Sequence, residues 1–182
     1  KIAIIGGGIV GLALGYKLQL NKKNKVEVFE KENLIGCHQS GKNSGVLHCG
    51  LAYKPGSLKA KLSVDGIRQM VKYCKTNKIN FDRCGKIVVA ISKNDIKNID
   101  NLALRGKKNG LKGLKFLSKS ELSKREPFVH SKKTLLVPEE GIVDYIQVMK
   151  SFSENIESLG GKINLSYQVE NISNYKNKIY IN

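Results

Sequence analysis

No run in this sequence reaches the ~20 consecutive apolar residues that a helix needs to cross a bilayer. A signal-like start, Lys1 before Ile2–Ile5, is broken by three glycines and shows no small-residue cleavage site. Paired cysteines are lacking too. Cys37, Cys49, Cys74 and Cys84 form no CxxC pair, and no His/Cys spacing suits zinc. They read as reduced thiols of a cytoplasmic protein, with neither a disulfide framework nor a metal centre. Acid is scarce, with 15 Asp and Glu against 32 Lys and Arg and a net charge of +17. That balance attracts nucleic acid or an anionic membrane surface. Lysine and asparagine are nevertheless spread along the whole chain, as at 21–25 and 174–178, and fill solvated positions. The basic residues are not interleaved with aromatics as a nucleic-acid groove requires. Composition therefore argues against nucleic acid and leaves weak peripheral attraction to an acidic membrane face. Internal repeats are lacking as well.

What is present fits a core-forming chain. Its 182 residues, 41% of them hydrophobic, suit one domain or a domain carrying a sizeable insertion. The chain begins directly on a strand-like run without an initiator Met and stops inside another, Lys178–Ile181. Both ends read as cut, so the expected protein is longer.

The first thirty residues are the most informative. The apolar run Ile2–Ile5 meets the cluster Gly6-Gly7-Gly8-Ile9-Val10-Gly11, and a helical stretch follows to Leu20. A second strand, Val26–Phe29, ends on Glu30. Strand, tight turn, helix, strand and acid form the order of a dinucleotide-binding βαβ unit. Gly6 permits the turn, Gly8 lets the backbone approach a pyrophosphate, and Gly11 lets the helix lie close to the strand. The helix N-terminus supplies unpaired N–H groups and a positive dipole end. A carboxylate at Glu30 suits a free ribose 2′-hydroxyl, as in FAD or NAD, and repels a 2′-phosphate. These residues alone do not separate FAD from NAD. The apolar first strand predicts a central place in a parallel sheet, beside Val26–Phe29.

Beyond this unit, residues 31–56 form a polar, glycine-rich stretch long enough to suggest function. A helix is expected from Ser57, with Ile67, Met70, Val71 and Cys74 on one face. Strands are expected at 85–91, 115–117, 135–137 and 141–143, and a helix over 94–108. Ser118 with Glu121 forms a capping box for a helix that stops before Pro127. Asp144 opens a helix whose apolar face runs from Tyr145 through Val148, Met149, Phe152 and Ile156 to Leu159, ending at Gly160-Gly161. Strand-like runs follow at 162–165, 168–172 and 178–181. The expected division is a nucleotide domain in two pieces, 1–81 and 144–182, around a smaller α+β insertion, 82–143.

The polar stretch is more specific than the glycines. It contains Gly36-Cys37-His38-Gln39-Ser40-Gly41-Lys42-Asn43-Ser44-Gly45-Val46-Leu47-His48-Cys49-Gly50, then Pro55-Gly56-Ser57-Leu58-Lys59-Ala60-Lys61-Leu62. With Cys84-Gly85-Lys86 and Gly141-Ile142-Val143-Asp144-Tyr145, it resembles the FAD-dependent oxidoreductases of the D-amino-acid oxidase superfamily. Within that superfamily it is similar to the L-2-hydroxyglutarate oxidase/dehydrogenase family, over the N-terminal half of its members. The resemblance implies an α/β, Rossmann-like FAD domain with a separate β-rich substrate domain. It also implies oxidation of a 2-hydroxy acid, with electrons passed to a quinone or oxygen.

The resemblance assigns residues as well. Gly6, Gly8 and Gly11 would hold the FAD pyrophosphate, Glu30 the adenosine ribose, and Lys31 would sit beside it. Ser40, Gly41, Asn43, Ser44 and Gly45 would run along the pyrophosphate and flavin, and Val169 would meet adenine through its backbone. His48 is the candidate base for the substrate hydroxyl, since histidine titrates near neutrality. A packing role for His48 stays open. Lys86 would meet a substrate carboxylate, or else be a surface lysine. His38 reads as a loop-fixing residue and His130 as an exposed one. Cys49 reads as a small buried residue rather than a flavin tether. Two other readings stay open: another superfamily activity, such as an amino-acid oxidase or glycerol-3-phosphate dehydrogenase, and a basic nucleotide-binding module without redox chemistry.

Overall fold

The computed structural model describes residues 1–176 and 178–182. In chain order the elements are β1 (Ile2–Ile5), α1 (Ile9–Gln19), β2 (Val26–Phe29), β3 (Val46–Leu47), α2 (Leu58–Thr76), β4 (Phe81–Asp82), β5 (Lys86–Ala90) and α3 (Lys93–Lys108). They continue as β6 (Lys115–Leu117), α4 (Lys119–Arg125), β7 (Lys133–Val137), β8 (Gly141–Val143), α5 (Tyr145–Ser158), β9 (Lys162–Asn164), β10 (Ile172–Tyr175) and β11 (Lys178–Ile181). The chain separates into two compact units, one of Lys1–Ser44 with Asp144–Asn182 and one of Gly45–Val143.

The first unit holds a parallel sheet in the order β1-β2-β9. Ile4, Val26 and Val28 alternate onto one face and are buried there, each such side chain contributing about 1.5–3 kcal/mol. The α1 crossover and α5 pack together, with Tyr16 and Phe152 rings 5.4 Å apart. Gly15 permits the close approach, since a Cβ there would meet Ile156 at 3.0 Å and Ile4 at 3.3 Å. Asp144 caps α5 by accepting from the N–H groups of Ile146 and Gln147, and Val148, Met149, Phe152 and Ile156 are buried as the periodicity predicts. Leu159 instead lies exposed at the C-cap.

Two expectations for this unit are corrected. β2, not β1, is the middle strand, because β9 pairs along the other side of β2. Among the described residues no strand pairs with the free edge of β1, and Ile5 is 55% exposed. Continuous apolarity thus marked a strand whose second face stays open. Residues 168–171 are not a strand either. The strand that follows begins at Ile172 and turns back on Lys178–Ile181 as an antiparallel hairpin.

The second unit is built from two antiparallel three-stranded sheets, β3-β8-β4 and β5-β7-β6. The helix α3 lies on β5 and β7. Side chain and backbone form reciprocal capping boxes at Ser92/Asp95 for α3 and at Ser118/Glu121 for α4. The hydrogen bond from Lys115, then those from Ser118, hold the Glu121 carboxyl down to about 2. The helix α2 starts on Ser57, whose hydroxyl accepts from Ala60 N–H. Arg68 ties α2 to this unit through the Gly110 carbonyl at 3.0 Å and Glu139 at 3.5 Å. The junctions between the compact units fall at Ser44/Gly45 and at Val143/Asp144.

Candidate functional site

In the first unit the chain turns at Gly6, whose φ of +105° is open to glycine and strained for other residues. A Cβ on Gly6 would meet nothing within 4 Å, so the space over the turn is open. Gly11 is fixed by contact, since a Cβ there would lie 2.1 Å from the Gly6 carbonyl oxygen. The N-cap of α1 is Gly8, which has no side chain to cap the helix. The first-turn N–H groups of Val10 and Gly11 have no intrahelical acceptor, so the turn presents amide donors and the positive end of α1.

Two side chains from later in the chain close on this turn. The buried Glu30 carboxylate accepts from Gly7 N–H through Oε2 at 2.6 Å and from Glu32 N–H through Oε1 at 3.0 Å. Each carboxylate oxygen keeps lone pairs for further donors such as ribose hydroxyls. Ser40 Oγ accepts from Ile9 N–H at 3.0 Å, and a Cβ on Gly8 would crowd that oxygen at 3.1 Å. Gly36 N–H donates to the Gly7 carbonyl, locking the polar loop against the turn. Gly41 allows that loop to fold, because a Cβ there would meet Gly36 O at 2.3 Å. Asn43 turns its amide back onto the carbonyls of Gln39 and Ser40. Ser44 is exposed, and so is Lys31, whose ammonium lies 3.7 Å from Glu32. Val169 is half-buried beyond Tyr167, whose N–H donates to the Glu30 carbonyl. His38 bonds Glu32 at 3.0 Å, as a loop-fixing residue does.

In the second unit Gly45 sits at φ +69°, where a Cβ would press on the Val143 carbonyl at 2.8 Å. His48 and Lys86 converge on Glu140, a residue the sequence reading passed over. Glu140 is 2% exposed. Lys86 Nζ lies 2.6 Å from Glu140 Oε2 and His48 Nδ1 lies 3.9 Å from the same oxygen. Cys49 Sγ donates to Oε1 at 3.4 Å. Burial, then the neighbouring Glu140 charge, push the Cys49 thiol up to about 12, so it stays protonated. Tyr53, Leu51, Val88 and Leu102 join His48, Lys86 and Glu140 around a cavity of about 280 Å³, close to the lower end of the ~300–1,000 Å³ of small-molecule sites. His130 is exposed. The signal for Glu140 was its acid in a basic chain, set between the apolar strands β7 and β8. No group of His, Cys, Asp and Glu among the described residues is arranged to hold a metal ion. Nor is any described helix long and apolar enough to cross a membrane.

The family model described as FAD dependent oxidoreductase matches residues 1–181. The chain belongs to this FAD-dependent family. Its relatives include the mitochondrial L-2-hydroxyglutarate dehydrogenase of Dictyostelium discoideum, 45% identical over 93% of this chain and 40% of that protein. The L-2-hydroxyglutarate dehydrogenase of Indibacter alkaliphilus is 44% identical over 93% of this chain and 43% of its own length. The chain thus spans about two-fifths of the curated relatives it matches. Among solved structures, the FAD-bound L-alpha-glycerophosphate oxidase of Mycoplasma pneumoniae superposes with a TM-score of 0.90 at 26% identity, over 100% of this chain and 48% of that one. Glycine oxidase from Geobacillus kaustophilus shares the fold, with a TM-score of 0.86 at 20% identity over 99% of this chain and 50% of that one. FAD is the cofactor of the family, and the residues at the turn fit it. Gly6 leaves open space, Gly8 offers no side chain, and Glu30 is an acceptor.

Proposed function

We propose that this chain is the N-terminal part of an enzyme that oxidises L-2-hydroxyglutarate to 2-oxoglutarate with FAD. The observation carrying this reading is identity of 44–45% to L-2-hydroxyglutarate dehydrogenases across 93% of the chain. In this reading the FAD-binding domain is formed from 1–81 and 144–182, and 82–143 belongs to the substrate domain. The N–H groups at Gly8, Val10 and Gly11 hold the pyrophosphate, and Glu30 accepts from the ribose hydroxyls, with Lys31 and the Val169 backbone beside the adenosine. Ser40, Gly41, Asn43, Ser44 and Gly45 follow the cofactor toward its ring. When bound, FAD accepts the hydrogen that leaves the substrate Cα as hydride. His48 takes the hydroxyl proton as the C=O bond forms, so one hydride and one proton leave and no charge is stranded on the product oxygen. Lys86 faces the substrate carboxylates as a cation.

A quinone or oxygen then takes the electrons, and the +17 charge favours a peripheral place on an anionic membrane face, on the reducing, cytoplasmic side. A second reading, oxidation of a glycerol phosphate, is favoured by the likeness to the Mycoplasma pneumoniae enzyme. The test is the full-length protein, purified and mixed anaerobically with each substrate while flavin absorbance is followed. Bleaching by L-2-hydroxyglutarate supports the first reading. Bleaching by L-glycerol 3-phosphate alone supports the second. A colourless protein retained on heparin returns the reading to a basic binding module.

A further inference from the structure

Lys86 does not stand as a free cation. Its ammonium is 2.6 Å from Glu140 Oε2, and the contact lacks hydrogen-bond alignment, leaving that buried oxygen without a hydrogen-bonded partner. A carboxylate oxygen has two lone pairs, so beside the ammonium Oε2 keeps capacity for a further donor. Beside it lie Cys49, whose thiol is already spent on Oε1, and His48, and Tyr53 lines the same cavity. His48 presents Nδ1 to Oε2 at 3.9 Å, too long for a hydrogen bond and short enough for a small ring movement or one water to complete it.

We infer that Glu140 is a positioning residue for His48: held in place by Lys86 and Cys49, it takes the proton-bearing Nδ1 of the imidazole and leaves Nε2 as the lone pair that faces substrate. The reasoning is that of any imidazole base. Neutral imidazole carries one N–H, and the hydrogen bond made by one nitrogen decides which nitrogen is free to accept. A carboxylate at Nδ1 fixes the ring and compensates the imidazolium that forms when the proton arrives. His48 is 64% exposed at its side chain, and among the described residues Glu140 is the carboxylate beside its Nδ1. Lys86 then has a different task from the one expected of it. It offsets the buried charge of Glu140, so its charge is already committed before a substrate carboxylate enters the cavity.

This inference rests on the reading of His48 as the base, and the two are separable by experiment. Full-length, FAD-loaded protein labelled with 15N-histidine is examined by NMR above neutral pH, with the His48 signals assigned through His48→Asn. The Nδ1–H form should dominate in the native protein and give way to mainly Nε2–H in Glu140→Gln. Flavin reduction by L-2-hydroxyglutarate in the same variant should slow about tenfold or more at saturating substrate, with a smaller change in the substrate concentration for half-saturation. Glu140→Asp should restore part of both. Because Glu140→Gln leaves Lys86 unpaired, Glu140→Gln/Lys86→Met serves as the variant without an isolated charge, and it should show the same tautomer change. An unchanged tautomer in both variants overturns the inference, as does an Nε2–H form in the native protein. If His48→Asn reduces flavin at the native rate, the base reading fails while the tautomer result still decides whether Glu140 orients the ring.

Discussion

The two compact units build their chemistry from opposite materials. In the unit of Lys1–Ser44 and Asp144–Asn182, the work is done by backbone. The amides of a glycine turn, the end of α1 and one carboxylate that itself bonds the turn supply the donors and acceptors. In the unit of Gly45–Val143, the work falls to side chains. His48 and Cys49, Lys86, and Glu140 come from three separate segments and are held by one another's charges and hydrogen bonds. A backbone site depends on the absence of Cβ atoms and is indifferent to most surface substitution. A side-chain site depends on the identity of each group and tolerates small backbone shifts. Each unit is therefore broken by a different kind of substitution.

The largest effect is expected in the backbone site. Gly11→Val places a Cβ where only 2.1 Å separates it from the Gly6 carbonyl oxygen, a backbone atom that cannot swing away. The helix must leave the strand, at a cost of about 3 kcal/mol or more. Denaturant unfolding of the full-length protein should show that loss, together with loss of bound flavin. Stability and flavin content equal to wild type would mean that the turn is not the tight structure described.

His48→Asn tests the side-chain site in the same protein. FAD should remain bound, because the glycine turn and Glu30 supply their contacts independently. Flavin reduction should slow by ~10²–10⁴, the usual contribution of a positioned acid–base group. Rapid-mixing absorbance reads the step directly, and a rate within a few fold of native would make His48 a packing residue. Cys49 probes the same cluster without substrate. Its thiol, held up to about 12, should be almost wholly protonated at pH 9. The exposed Cys84 should then be alkylated much faster than Cys49, which is buried and protonated, since the thiolate is the reacting form. The Cys49 rate should rise only as the pH climbs toward 12. Equal rates at pH 9 would mean that the cluster opens readily.

A smaller effect is expected at Glu30. The side chain is buried against Gly7, so Glu30→Gln removes the charge without demanding room. Loss of a charged acceptor costs roughly 1.5–3 kcal/mol, and FAD affinity should fall about tenfold or more. Titration of the apoprotein measures it, and unchanged affinity would remove Glu30 from the cofactor site.

The same contrast explains what could be read from residues alone. The βαβ unit was legible because every member lies within Ile2–Glu30, where chain spacing and spatial position are nearly the same thing. Helix starts were legible for the same reason, at Ser118, Asp144 and Ser57. The partnership of Glu140 with His48 and Lys86 was not, because residues 92 and 54 positions apart in sequence meet only through the pairing of β3, β5, β7 and β8. Burial of an acid leaves no mark on its own neighbourhood in sequence. The position of β1 at the sheet edge was illegible too, since an apolar strand reads alike whether its second face is covered or open.

The smallest predicted effect sharpens that last point. Gly66 lies inside α2, exposed, and a Cβ there would meet nothing within 4 Å. Glycine in a helix interior costs about 0.5–1 kcal/mol relative to alanine, chiefly through the freedom it loses on folding. Gly66→Ala should therefore stabilise the protein by about that amount, opposite in sign to substitution at Gly11 and with flavin content unchanged. Thermal or denaturant unfolding of the full-length protein would show a modest upward shift. A loss of stability instead would mean that the open flank of α2 is covered in the full-length protein by atoms beyond these 182 residues, and that glycine is kept there by contact, as it is at Gly11.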